Sequence, residues 1–257
     1  MNLLLISGHG AGDPGANGYI DGVQYVEADE ARRVTASLRS ILSKSINVDV
    51  YPTERNAFYD CTNGLLTSYA NIGEYDYVLE IHFNAFAASS SDGQTKGVEC
   101  YVPSAEPGIV VEQLICSNVS NLGLKNRGVK HFDWSVIYNV RQFGVSAALL
   151  EVCFIDDPDD MRVYENNFNS IIEEIANGIL EGFGVESIKM DSTEDTEGDD
   201  EMIVYEKLED IPEWGRKTVD KLLDKKYLVG TDGESLNIEQ HMLRTLVIND
   251  RAGLYDN

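Results

Sequence analysis

Short apolar runs alternate with amphipathic stretches of helical period along the first 184 or so residues of this 257-residue chain. Residues 2–6, 77–82, 98–102 and 147–154 read as buried strands, and 47–51 as a strand with alternating apolar and polar positions. Residues 128–131 are short and extended. Residues 27–44 carry Ala31, Val34, Leu38, Ile41 and Leu42 at three- and four-residue steps, the mark of a helix with one buried side. Residues 61–72, 108–121 and 159–183 read as further helices, the last burying Phe168, Ile171, Ile172, Ile175, Ile179 and Leu180. Strands that alternate with helices imply an α/β domain, a largely parallel mixed sheet flanked by helices. Ligands of such sheets sit beyond the carboxyl ends of the strands. His9, His82 and Glu151 all fall at or just past strand ends.

After residue 185 the pattern breaks. ESIKMDSTEDTEGDDE is acidic, almost free of apolar residues, and reads as a solvated linker over 186–202. It divides a domain at 1–185 from a small helical unit at 203–257. In that unit 212–226 forms a helix entered through Pro212, with Trp214, Val219, Leu222 and Leu223 inward, and IEQHMLRTLVINDRAG forms a second helix from 238.

Charge excludes some partners. With 44 acidic against 20 basic side chains the net charge is −24. Nucleic acid needs a basic surface, and so does electrostatic docking to an anionic membrane, so neither is expected. The opening MNLLLISGHG has an apolar run of about five residues with no Lys or Arg before it, too short for the core of a signal peptide. No stretch approaches the roughly 18 apolar residues of a membrane span. The expectation is a chain made in the cytoplasm without an export signal. Cys61, Cys100, Cys116 and Cys153 form no C-x-x-C pair and read as buried free thiols.

Four histidines occur, His9, His82, His131 and His241. Two of them follow buried strands into loops containing Gly or Asn. Glu27 opens the first helix, and Glu151 lies inside an apolar strand, where a carboxylate is costly without a partner. His9, Glu27 and His82 as ligands of zinc, with Glu151 beside the metal, resolve that cost, because catalytic zinc takes three such ligands and keeps one position for water. Glu151 would then move the water proton to the leaving amine. Taken alone this is one reading among several. A His at a strand end is commonly structural, and a Glu in a strand serves equally as ion-pair member or catalyst.

SGHGAGDPGANG, Glu27 at the helix start, EIHFNA, NRGVK at 126–130 and LLEVCFIDDPDD follow one another in this order. Together they resemble the zinc-dependent N-acetylmuramoyl-L-alanine amidases of type 3, over residues 1 to about 184. The resemblance implies that family's mixed sheet, a Zn2+ cofactor bound by His9, Glu27 and His82, and Glu151 as general acid/base. It implies peptidoglycan as substrate, cut between N-acetylmuramic acid and L-alanine. Two departures stand out. Glu80 occupies the place where the family usually has a small Ser, a spot from which it can contact a ligand, and Cys153 stands where Gly is common. Asp13, Pro14 and Gly15 match and are read as shaping the loop. Asn84 is a candidate for substrate binding or for a turn cap, and Arg141 for pairing with an active-site carboxylate, for substrate binding or for a plain surface role. His131 is not expected to be a ligand.

The unit at 203–257 is similar to one surface-layer-homology-type module, which implies attachment to a cell-wall polymer, with homo-oligomerisation as the alternative. The combination suggests an endolysin of a phage or prophage of a Gram-positive host, held in the cytoplasm until a holin releases it to the wall. Two rivals are a cysteine peptidase using Cys153, which two-residue alternation would place on the face of Glu151, and a wall-binding protein without catalysis.

Overall fold

A computed structural model describes residues 1–186 except 11, 21 and 87–90, and in the C-terminal part residues 204–211, 213–228, 236, 238, 239, 243 and 246. The chain divides into two compact units, Met1–Met190 and Asp191–Asn257. Among the described residues no helix is long and apolar enough to cross a membrane.

The first unit is built on β1 (Asn2–Ser7), β2 (Asn17–Ile20), β3 (Val23–Val26), α1 (Glu27–Leu42), β4 (Asn47–Val50), α2 (Ala57–Thr62), α3 (Leu66–Tyr69), β5 (Tyr77–Asn84), β6 (Val98–Val102), α4 (Val110–Ser120), β7 (Asn126–His131), α5 (Ser135–Gln142), β8 (Ser146–Phe154), α6 (Pro158–Asn166) and α7 (Phe168–Gly182). Six strands form one sheet in the order β4-β1-β5-β8-β6-β7. All neighbours are parallel except β6 and β8, so the sheet is mixed.

Central strands are apolar on both sides because both sides are covered. Leu3 and Leu5 of β1 join Val34, Leu38, Ile115 and Ile175 in a core beneath α1, α4 and α7. Leu4 and Ile6, pointing the other way, join Ala57, Leu66, Ile137 and Val140 in a second core beneath α2, α3 and α5. The same alternation positions the functional residues. Tyr77, Leu79, Ile81 and Phe83 of β5 enter the first core, while Val78 enters the second. Glu80, His82 and Asn84 continue the face of Val78, past the point where apolar cover ends.

Several expectations need correction. The helix expected at 61–72 is instead α2 and α3, because Asn56 caps an earlier start by accepting from Tyr59 N–H at 2.9 Å and Gly64, at φ +70°, ends that turn. The single helix expected at 159–183 is broken at Asn167, whose φ of −122° leaves the helical region. The β2–β3 hairpin, where Ile20 pairs with Val23, and α5 were not foreseen. The Asp-Gly sequence at 21–22 was the signal for the hairpin.

The second unit pairs β9 (Val204–Tyr205) antiparallel with β10 (Ile238–Glu239) and carries α8 (Glu213–Asp224). Tyr205, Ile211, Val219, Ile238 and Leu243 form its core. Ile238 and Glu239, expected to start a second helix, are a strand because they pair with Val204 and Tyr205. Of the rest of that expected helix only Leu243 and Leu246 are described, both helical. The expected linker lies outside the described residues save for Glu186, and the side chain of Trp214 also lies outside them.

Ile175 is fully buried between α7 and the sheet. Ile175→Ala should cost about 2–5 kcal/mol of stability in urea unfolding. A loss below about 1 kcal/mol would mean that this core does not carry the fold.

Candidate functional site

The loop after β1 can pass close to β5 only because Gly8 has no side chain. A Cβ there would lie 2.5 Å from the ring of His82. His9 follows in the left-handed region, at φ +63°, a conformation a non-glycine residue adopts only when its surroundings impose it. The imposing contacts are visible. Gly10 and Asp13 exchange backbone hydrogen bonds of 2.8 and 3.0 Å, and Asp13 Oδ2 lies 2.9 Å from His9 Nδ1. Asp13 in turn accepts from Gly15 N–H at 3.1 Å and Asn56 Nδ2 at 3.1 Å. Asp13 was read as shaping the loop; it also holds a histidine ring directly.

Glu27, at the first turn of α1, is the hub. Its Oε1 lies 3.0 Å from His9 Nε2 and 3.0 Å from His82 Nδ1. Backbone N–H groups fix both oxygens, Phe83 to Oε1 at 3.0 Å and Ala16 to Oε2 at 2.8 Å. The two imidazoles meet edge to face with centroids 4.9 Å apart. Among the described residues His9, Glu27 and His82 are the group whose ligand atoms converge closely enough to hold a metal ion, all within 4.8 Å of one another.

Electrostatics are set by burial and by these pairings. Burial alone would raise the Glu27 carboxyl, but hydrogen bonds from His82 and His9 outweigh it and hold it well below the usual carboxylate range. Burial opposes charge on His82, yet Glu80 and Glu27 lift it well above its ordinary value. For His9, Glu27 and Asp13 likewise outweigh burial. Glu151 goes the opposite way. Burial pushes it up to about 7, with Glu27, Glu99 and Glu80 adding to the rise against the opposing pull of His82. Glu151 is the register partner of His82 on the next strand, and its Oε2 is buried without a hydrogen-bond partner among the described residues.

These groups line a cavity of about 420 Å³. Its walls include Phe58 and Trp134, half exposed aromatics that the sequence reading did not single out. Asn84 also lines the cavity. Its amide is already committed, donating to Glu99 Oε1 at 2.8 Å and accepting from Ala85 N–H at 2.8 Å.

The other residues considered lie elsewhere. Arg141, expected to pair with an active-site carboxylate, to bind substrate or to sit at the surface, is not among the cavity residues; α5 carries it to 3.7 Å from the buried Glu106. His131 ends β7, exposed and outside the cavity, and His241 lies outside the described residues. Cys153 does not share the face of Glu151. Pairing between β5 and β8 slips by one residue after His82 and Glu151, so that Asn84 meets Phe154. This bulge turns Cys153 into the first core, 3.9 Å from Met161 Sδ and fully buried. Burial pushes its thiol well above the ordinary range, which removes the cysteine-peptidase reading.

A family profile described as N-acetylmuramoyl-L-alanine amidase matches residues 3–181. An uncharacterized protein of Clostridium perfringens is 30% identical over 199 residues, covering 76% of this chain and 56% of that protein. The endolysin of Bacillus phage SPP1 is 27% identical over 183 residues, covering 70% of this chain and 64% of the endolysin. The match therefore spans less than two thirds of the length of either relative. Among solved structures, the catalytic domain of the amidase CwlV from Bacillus (Paenibacillus) polymyxa var. colistinus aligns with a TM-score of 0.58 at 24% identity, over 72% of this chain and all of that one. An N-acetylmuramoyl-L-alanine amidase of Clostridium difficile 630 aligns at 0.58 and 21%, over 71% and 96% of the two chains. These two share the fold, and the family match rests on the profile: this chain belongs to the N-acetylmuramoyl-L-alanine amidase family.

Proposed function

We propose that this chain hydrolyses the amide between N-acetylmuramic acid and L-alanine in peptidoglycan, at a zinc centre made by His9, Glu27 and His82. The observation that carries the reading is the convergence of two imidazole nitrogens, each 3.0 Å from the same oxygen of a buried carboxylate. Nitrogen and oxygen donors in that number suit zinc, which at catalytic sites leaves a fourth position open. The surroundings fit a dication too. Glu27 and Glu80 are each 4% exposed, and the Glu151 Oε2 is buried without a hydrogen-bond partner among the described residues. Carboxylates crowded out of water are costly unless a cation compensates them. Bound there, zinc supplies the Lewis acidity that acidifies a water and polarises the scissile carbonyl.

The protein supplies the rest. Glu151, lifted by burial to about 7, accepts the proton of the attacking water and returns it to the departing alanine nitrogen. Phe58 and Trp134 give one wall of the cavity apolar surface against which substrate can pack. Likeness to a phage endolysin supports release to the wall of a Gram-positive host as the setting. For residues 203–257 the proposed role is placement on a wall polymer, with self-association as the alternative.

Product analysis tests the reaction. Digestion of purified walls should expose new L-alanine amino termini and no new reducing sugar ends; reducing ends would make the protein a glycosidase. His82→Ala should lose both zinc and activity. Glu151→Gln should keep its zinc while hydrolysis falls about a hundredfold or more, the scale of lost general-base work. Zinc loss in that variant would make Glu151 a ligand instead.

Stability of the metal-free protein should depend on pH in a defined direction. His9 and His82 are both raised above the value of about 6.5 that they have when unfolded. Their contribution is therefore full below that pH and is lost as pH rises through their folded values. The melting temperature of metal-free protein should fall as pH rises above about 6.5, and saturating zinc should flatten the slope. A melting temperature that rises over that window without metal would contradict the charge arrangement.

Removing residues 203–257 should leave hydrolysis of soluble muropeptides unchanged and slow the lysis of whole cells. Equal lysis rates would exclude a placement role.

A further inference from the structure

Glu80 is used by neither the three donors nor the proton transfer, yet it is buried at the cavity. Alternation along β5 puts it on the face of His82 and Asn84, and its register partner on β8 is the apolar Leu149. At 4% exposed it has lost most of its water, a cost that a partner must offset. Its contact is with the imidazole two residues on, where Oε1 lies 3.2 Å from His82 Nε2.

The two nitrogens of His82 face different neighbours. Nδ1 points at Glu27 Oε1, 3.0 Å away, and so at the convergent donors. Nε2 is buried with no well-aligned hydrogen bond, and Glu80 is the carboxylate beside it. A ring that offers its Nδ1 lone pair to a cation must carry its proton on Nε2. That proton needs an acceptor out of water. His9 solves the same problem with the nitrogens exchanged, Nε2 towards Glu27 and Nδ1 2.9 Å from Asp13. Each histidine thus has a carboxylate behind it. A Ser at position 80 would be two bonds shorter and would leave the Nε2 proton without that acceptor.

We propose that Glu80 is a positioning residue that accepts the Nε2 proton of His82, fixes the tautomer and ring orientation in which Nδ1 binds the metal, and tightens this chain's hold on it. The inference rests on the metal centre proposed above.

The test measures zinc affinity by chelator competition in the full chain and in Glu80→Ser and Glu80→Gln, with the His82 tautomer read by nitrogen NMR. Glu80→Ser should bind zinc about 10–100-fold more weakly, the usual effect of losing such a partner. Glu80→Gln, whose amide oxygen still accepts from Nε2–H, should lose clearly less. The zinc-loaded parent should show the proton on Nε2. Metal-free Glu80→Ser should keep the parent's circular-dichroism spectrum but melt lower, because His82 loses the carboxylate beside it; affinities compared well below that melting temperature separate weaker binding from damaged folding. Unchanged affinity in Glu80→Ser, a loss in Glu80→Gln as large as in Glu80→Ser, or a proton on Nδ1 would overturn the role of Glu80. A parent chain that binds no zinc would overturn the metal centre itself, a distinguishable result.

Discussion

Everything at the site depends on one oxygen of Glu27 being shared by two histidines. Those histidines come from segments far apart in sequence, one on the loop after β1 and one on β5. Glu27 comes from a third, the start of α1, where the positive end of the helix dipole favours negative charge. The carboxylate is also pinned by the N–H groups of Ala16 and Phe83, so loop, helix and strand are tied at one point. That explains the strictness of the loop around it. At Gly15 a Cβ would lie 2.6 Å from Glu27 Oε2 and 2.7 Å from the ring of His9. Gly8 and Gly15 let the backbone lie against the donors.

The sheet's change of direction does the second part of the work. Parallel strands β1, β5 and β8 deliver side chains at their carboxyl ends, but β6 runs against β8 and sets Glu99 directly beside Glu151. An uncompensated carboxylate there would drive Glu151 up far more strongly. Burial would raise Glu99 as well, but Lys130, Arg127 and the Tyr101 hydroxyl hold it below the usual range. The Arg and Lys of NRGVK therefore matter through Glu99. They quiet one carboxylate so that the next is tuned mainly by its own burial, and through Glu99 they also fix the amide of Asn84.

What could be read from the sequence followed from position in the strands. His9 and His82 stood out because they end apolar runs, and Glu27 because it opens a helix. Glu151 stood out because a carboxylate in such a strand calls for a reason. Alternation along β5 sets Glu80, His82 and Asn84 on one face in the structure, but period-two reading of β8 failed at Cys153, because an extra residue in a bulge reverses the alternation and leaves no mark in residue type. The neighbour of Arg141 was not legible for a related reason. Its surroundings depend on α5 and on Glu106, elements whose approach is tertiary. Asp13 looked like a turn residue because it is one; its contact with His9 Nδ1 depends on the left-handed backbone that the turn creates.

The charge arrangement ties metal binding to folding. In the described structure the buried carboxylates Glu27 and Glu80 favour the charged forms of His9 and His82 against the opposing effect of burial. Binding of a dication at the donors requires the ligating nitrogens to give up their protons, so on the proposed reading metal and protons compete for one cluster. Glu27 is held by the N–H groups of Ala16 and Phe83, and His9 by Asp13, so on that reading the donors are set by the protein's own hydrogen bonds.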